Sequence, residues 1–260
     1  MSKIALPKKS LGQHWLNDQS ALEAMAEAAK LKNADVVLEI GPGLGALTKL
    51  LIEQVKQVIA VELDEALAER LPQEIPATNL TVVQEDILQF DLTSLPPDYK
   101  VVANIPYYLT SNLIRVLSES SNPPSTAALL VQKEVAERVV AEPGAASILS
   151  ITAQFYWLVA SGQVVSAELF TPPPKVDSQI LILSRRAKPL FPDVDSKQFF
   201  RLVKAGFSQR RKTLLNSLSA GLNMSRPETL EVLKKAGVNP VDRAQSLSLE
   251  NWHELYRHIK

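Results

Sequence analysis

The chain has 260 residues, 46% of them apolar and 22% charged, with 28 basic and 28 acidic side chains. That length exceeds one ordinary hydrophobic core, so one large domain or a large and a small one is expected. The apolar fraction excludes disorder as the bulk state. No apolar run reaches the roughly 20 residues of a membrane span. The basic opening MSKIALPKKS is followed by no apolar h-region, so no secretory leader is expected. With no cysteine and three scattered histidines, disulfides, thiolate chemistry and Cys-based zinc sites are excluded, and no metal site is expected. The expectation is a soluble, cytoplasmic protein.

The zero net charge conceals an asymmetry. Residues 1–179 carry 13 Lys and Arg against 21 Asp and Glu, whereas residues 180–260 carry 15 against 7. A basic C-terminal part can attract a polyanion such as nucleic acid; a solvated helical surface is the plainer reading of the same charges.

In chain order, Val36 to Ile40 reads as a buried strand that ends in Gly41-Pro42-Gly43-Leu44-Gly45. Leu47, Leu50, Leu51 and Val55 then recur at helical spacing. Val58 to Leu63 is a second strand, followed by a short helix that is expected to stop at Pro72. Leu80 to Val83 leads into Glu85-Asp86, Val101 to Ala103 into Asn104-Ile105-Pro106-Tyr107, and Ala127 to Val131 into the helical run Lys133 to Ala141. Strands alternating with helices predict parallel βαβ units, whose chemistry sits at the carboxyl ends of the strands. All the unusual motifs fall at such ends.

Farther on, Pro172-Pro173-Pro174 marks a stiff loop before the alternating strand Gln179 to Leu183. Phe155, Tyr156 and Trp157 read as core because their neighbours are strongly apolar. Helical periods cover Ser196 to Leu222, Arg226 to Ala236 and Leu249 to His258. We place the domain boundary near 186–194, giving domains at 1–188 and 189–260.

Glu39 to Gly45 follows a strand and opens a helix, where glycines let backbone approach a ligand. The third glycine comes one residue too early for the dinucleotide fingerprint G-x-G-x-x-G. Glu39 also puts negative charge where a pyrophosphate would lie. A ligand with a cationic amino-acid end suits the loop better, which points to S-adenosylmethionine. Glu62, ending the second strand, can accept from both ribose hydroxyls, and Asp86, ending the third, from an adenine amino group.

Asn104-Ile105-Pro106-Tyr107 is the sharpest signal. An exocyclic adenine amine is a poor nucleophile because its lone pair is delocalised into the ring. Two acceptors, the Asn104 side-chain carbonyl and the Pro106 backbone carbonyl, can each take one N–H and free that lone pair. Tyr107 offers a face on which an extruded base can stack. An Asn-x-Pro after a strand is also an ordinary turn; the upstream glycine loop and acids separate the two readings.

These segments together resemble the KsgA family of small-subunit rRNA adenine N6,N6-dimethyltransferases, from about Lys9 to the end. The likeness rests on Gly12 to Leu16, Glu39 to Gly45, Glu62-Leu63-Asp64, Asn104 to Tyr107, Gln132 to Val135, Phe170 to Ser178 with its PPPKVDS run, and Phe207 to Lys212. The resemblance implies an α/β, Rossmann-like class I methyltransferase core at 1–188 and a small all-helical RNA-binding domain at 189–260. It places His14, Leu16, Gly41, Gly43, Glu62, Leu63, Asp86, Ile87 and Asn104 around S-adenosylmethionine. Asn104, Pro106, Tyr107 and Phe170 would be the catalytic set, with Phe170 closing on the target base opposite Tyr107. Arg210, Arg211 and Lys212 would hold RNA phosphates.

Plainer readings stand beside some of these: His14 as a polar cap before a helix starting near Asp18, Phe170 as core, and Arg210 to Lys212 as a solvated helix face. Pro143 to Ser150 is shorter than the family's corresponding loop and lacks its usual Lys and aromatic-Gly, which bears on how RNA is handled. The implied partner is the immature small ribosomal subunit, with no membrane, no metal and a monomeric chain. The alternatives are a large-subunit rRNA methyltransferase of the macrolide-resistance type, a non-catalytic ribosome-assembly factor, and a nicotinamide-dependent oxidoreductase.

Overall fold

The computed structural model describes residues 12–259, so the basic opening segment lies outside the described residues. In chain order the elements are β1 (Trp15–Leu16), α1 (Gln19–Ala28), β2 (Val36–Ile40), α2 (Ala46–Gln54), β3 (Gln57–Glu62), α3 (Glu65–Glu74), β4 (Leu80–Gln84), β5 (Lys100–Asn104) and α4 (Thr110–Glu119). They continue as β6 (Thr126–Gln132), α5 (Lys133–Val139), α6 (Ile148–Tyr156), β7 (Trp157–Val165), β8 (Phe170–Thr171) and β9 (Ser178–Arg185). The chain ends in α7 (Ser196–Phe207), α8 (Leu214–Leu222), α9 (Arg226–Lys235) and α10 (Leu249–His258). It divides into two compact units, one of residues up to Ala136 with Leu158–Arg185, the other of Glu137–Trp157 with residues from Arg186 on.

The first unit is built on a seven-stranded sheet in the order β4-β3-β2-β5-β6-β9-β7. The five strands read from the sequence, β2 to β6, pair in parallel, and β9 runs antiparallel to β6. Their runs are β-branched and apolar because both sheet faces are covered: Val37, Leu38 and Ile40 of β2, Val101 to Ala103 of β5 and Ala127 to Val131 of β6 are all buried. Strand order reverses between β2 and β5, and that reversal opens a crevice at the carboxyl ends of the strands. Helix α1 starts where Asp18 accepts the Ala21 N–H at 2.8 Å, so Asp18, and not His14, caps it. Asp64 caps α3 in the same way through Ala66. That helix runs past Pro72 to Glu74, the Ile75 N–H donating to the Leu71 carbonyl at 2.9 Å and the Gln73 side-chain Nε2 to the Glu69 carbonyl at 3.0 Å. A two-residue antiparallel ladder joins β1 to β8, setting Leu16 opposite Phe170.

The second unit differs from the expected 189–260 domain, because residues 137–157 belong to it. The reason is packing. Ile151 and Phe155 of α6 join Phe199, Leu202 and Val203 of α7, Leu214 and Leu218 of α8, Leu233 of α9 and Trp252 and Leu255 of α10 in one core. Phe155 stacks on Phe199 with ring centroids 4.9 Å apart. The 143–150 loop is tied down within this unit, as the Gly144 and Ala146 N–H groups donate to the Gln245 carbonyl at 2.7 and 3.3 Å. The single helical run expected over 196–222 is two helices, and Arg210, Arg211 and Lys212 lie in the turn between them rather than on a helix face.

Candidate active site

A cavity opens in the first unit at the carboxyl ends of β2, β3, β4 and β5. Its lining brings together His14, Leu16, Gly41, Gly43, Glu62, Leu63, Asp86, Ile87, Asn104, Pro106, Tyr107 and Phe170, every candidate expected from the sequence outside the basic cluster. Four acidic side chains border it, the carboxylates Glu62, Glu85 and Asp86 and the carboxyl of Glu39, and among the described residues no lysine or arginine does. Such a cavity repels phosphate and favours a ligand carrying positive charge.

The glycine loop gains its shape from left-handed backbone. Gly43 has φ +57°, and a Cβ there would lie 3.3 Å from the Trp15 indole, so a side chain would crowd the cavity wall. The Gly43 N–H donates to Glu62 Oε2 at 3.1 Å, and the Asp64 N–H to Glu62 Oε1 at 2.9 Å. Glu62 therefore ties the first βα loop to the second. Burial holds its carboxyl above the ordinary value, and these amide donors limit the rise. Glu39, only 1% exposed, has no such support. Neither of its oxygens, nor Thr48 Oγ1 nearby, meets hydrogen-bond geometry among the described residues. Burial pushes the Glu39 carboxyl up to about 8, with Glu62 adding to the rise and the Thr48 hydroxyl tempering it. The Trp15 indole N–H is a further buried donor without a partner among the described residues.

Asp86 follows β4 and turns the chain, its Oδ1 accepting the Leu88 N–H at 3.0 Å. Ile87 beside it is buried, whereas Leu63 is 44% exposed at the rim.

Asn104 ends β5, and its Nδ2 donates to the His14 carbonyl at 3.2 Å. With the amide held that way, Oδ1 has no partner among the described residues. The Pro106 carbonyl accepts the Leu109 N–H at 3.0 Å, which closes the short 3-10 turn Tyr107–Leu109 and leaves the oxygen one further lone pair. The Tyr107 hydroxyl is 2.8 Å from Ser178 Oγ. Because a carbonyl only accepts, the 2.7 Å contact from His14 Nδ1 to the Pro172 oxygen fixes the proton on Nδ1. Thus the PPPKVDS run holds His14 at one end and Tyr107 at the other. The two rings face each other, centroids 6.1 Å apart and 19° from parallel. A base sandwiched between two rings needs about 7 Å, so that gap is closed to it. Phe170 is 3% exposed and belongs to the core with Leu16, Leu22 and Leu47 while also bordering the cavity.

The set expected around the donor and the base omits two side chains of this site, Trp15 and Ser178, and Glu39, expected to carry negative charge, keeps its proton through burial. Glu39 and Trp15 lie inside motifs already singled out, and their partnerless buried polar atoms become visible only in three dimensions. Ser178, fully buried, is far from Tyr107 in sequence. The signal for it was the PPPKVDS run, read as a loop rather than as a support.

The doubly wound sheet and the acidic cavity at its switch point define a Rossmann-like class I methyltransferase. The profile of the ribosomal RNA adenine dimethylase family matches residues 5–260, and the chain belongs to that family. Ribosomal RNA small subunit methyltransferase A of Dehalococcoides mccartyi (strain CBDB1) is 41% identical over 252 residues, covering 95% of this chain and 87% of the relative. The protein of the same name from Lactococcus lactis subsp. lactis (strain IL1403) is 39% identical over 259 residues, covering 95% and 88%. Among solved structures, a dimethyladenosine transferase from Plasmodium falciparum superposes with a TM-score of 0.78 at 28% identity, over 93% of this chain and 96% of that one. The 23S rRNA methyltransferase ErmE superposes at 0.75 and 29% identity, over 94% and 99%.

Proposed function

We propose that the chain dimethylates N6 of two adjacent adenosines near the 3′ end of small-subunit rRNA, with S-adenosylmethionine as methyl donor. It would act as a cytoplasmic monomer on the immature small subunit. The observation that carries this reading is the Asn104 to Tyr107 loop standing at the edge of a cavity lined by carboxylates and, among the described residues, by no lysine or arginine. The donor supplies a methyl group already activated on a sulfonium, so the protein's work is positioning.

The residues present fit such a donor. The cavity's acids suit its positive charge, and Gly43 leaves room that a side chain would take. Glu62, with Leu63 and the Asp86–Ile87 pair, forms the adenosine side, its carboxylate accepting from ribose hydroxyls in addition to the two backbone amides. His14, Leu16 and Gly41 form the methionine side. Asn104 Oδ1 accepts one hydrogen of the target amine and the free lone pair of the Pro106 oxygen accepts the other. The base stacks on the Tyr107 face turned away from His14, and Phe170 bounds the pocket. No carboxylate is needed to remove a proton first, because methylation itself acidifies the nitrogen and water takes the proton afterwards. Arg210, Arg211 and Lys212, exposed in their turn, hold RNA phosphates.

Asn104→Ala tests this directly. Loss of one well-placed acceptor should lower turnover about 10²–10³-fold at saturating donor. The second methylation starts from an amine with one hydrogen left and depends on a single acceptor at a time, so the variant should release proportionally more monomethyl product. Parent-like rate and product ratio, read by nucleoside analysis, would remove Asn104 from the chemistry.

A further inference from the structure

Between Ser196 and Thr213 the chain has six cations and no carboxylate. Three of them, Lys197, Arg201 and Lys204, fall at i, i+4 and i+7 on α7 and share its exposed face, opposite the buried Phe199, Leu202 and Val203. None of the three has an ion-pair or hydrogen-bond partner among the described residues. Four cations on other helices are paired within their own helix. Arg70 pairs with Glu74, Arg115 with Glu119, Lys235 with Glu231 and Arg257 with Glu254, each about one turn away. Like charges one turn apart repel and weaken a helix, so the row on α7 opposes folding unless a polyanion meets it.

The ground around the row is shaped to receive one. Helices α7 and α8 approach closely where Gly221 meets Ala205: a Cβ on Gly221 would lie 2.7 Å from the Ala205 Cβ. The three cations, Ala205, Ser208 and Gly221 therefore border a shallow depression whose floor has no projecting side chain. At ~1.5 Å per residue the row spans about 10 Å, over which a nucleic-acid strand presents two or three charges. The row's three positive charges complement the charge of such a strand.

We propose that Lys197, Arg201 and Lys204 form a second phosphate-binding surface for the RNA substrate, distinct from the turn that carries Arg210, Arg211 and Lys212. The surface rests on the reading of the chain as an enzyme of small-subunit rRNA and adds to it where the strand runs.

The test compares the parent with the triple variant Lys197→Gln, Arg201→Gln, Lys204→Gln, both full-length. Dissociation constants for protein-free small-subunit rRNA are measured between about 50 and 200 mM salt. The log–log slope should become shallower by about 2–3 units, with weaker binding at low salt, while the thermal midpoint stays at or above that of the parent. A folded variant with the parent's slope overturns the surface and leaves the RNA reading standing. A parent without salt-dependent binding to either the rRNA or intact small subunits overturns both.

Discussion

Glu39 and Glu62 are two buried acids side by side, and their surroundings set them apart. Glu62 accepts two backbone N–H groups, which stabilise its charge; Glu39 accepts none among the described residues. The acid without donors is therefore the one that keeps its proton. Its carboxyl is raised from 4.5 to about 8 in the folded chain, so the folded state binds more protons than the unfolded state between those values. The stability this confers is fully present below pH 4.5 and is lost as the pH rises through about 8. Glu39→Gln keeps the shape without the charge. Relative to the parent it should gain stability as pH rises from 5 to 8, by about 4 kcal/mol at most. Urea unfolding across that range checks this, and parallel pH curves would show that Glu39 ionises in the fold as it does in water.

At the scale of elements, the entry to α2 depends on Gly45, which precedes the helix at φ +80° with no side-chain cap. A Cβ there would lie 2.6 Å from the Leu71 and Ile75 Cδ1 atoms of the α3 region. Those methyl ends can shift, so the left-handed backbone is the larger obstacle. Gly45→Ala should cost about 1–2 kcal/mol of stability, read as a lower urea midpoint with unchanged slope. An unaffected midpoint would mean the loop relaxes into ordinary backbone. The same scale shows what a sequence can disclose. Strands β2 to β6 were legible because each is a short, largely apolar run leading into a motif or a turn. The boundary between α6 and β7 was not, since Ile148 to Val165 carries no charge and its apolar residues, broken only by small or polar ones, support either period. The break between α7 and α8 was hidden for another reason. Ser208 to Thr213 contains no glycine or proline, and the N–H groups that open α8 are satisfied from afar, Leu214 by the Asp242 carbonyl at 2.7 Å and Leu215 by that of Pro240 at 3.3 Å. In the site, local motifs named the cavity's lining, but their supports were non-local: Ser178 under Tyr107, Pro172 against His14 and the Asn104 amide on the His14 carbonyl.

Over the whole molecule, a net charge of zero separates into an acidic stretch that contains the cavity and a basic C-terminal stretch that carries Arg210 to Lys212 and the α7 row. Opposite fields suit a protein that must hold a cationic methyl donor and a polyanionic RNA at once. The central claim is that these surfaces serve one reaction, dimethylation of adenine N6 in the small subunit. Its most direct test supplies purified protein with S-adenosylmethionine labelled in the methyl group and, separately, with small and large ribosomal subunits that lack the modification, followed by nucleoside analysis. Label should enter only the small subunit and be recovered as N6,N6-dimethyladenosine. Label in the large subunit, or no transfer to either, would contradict it.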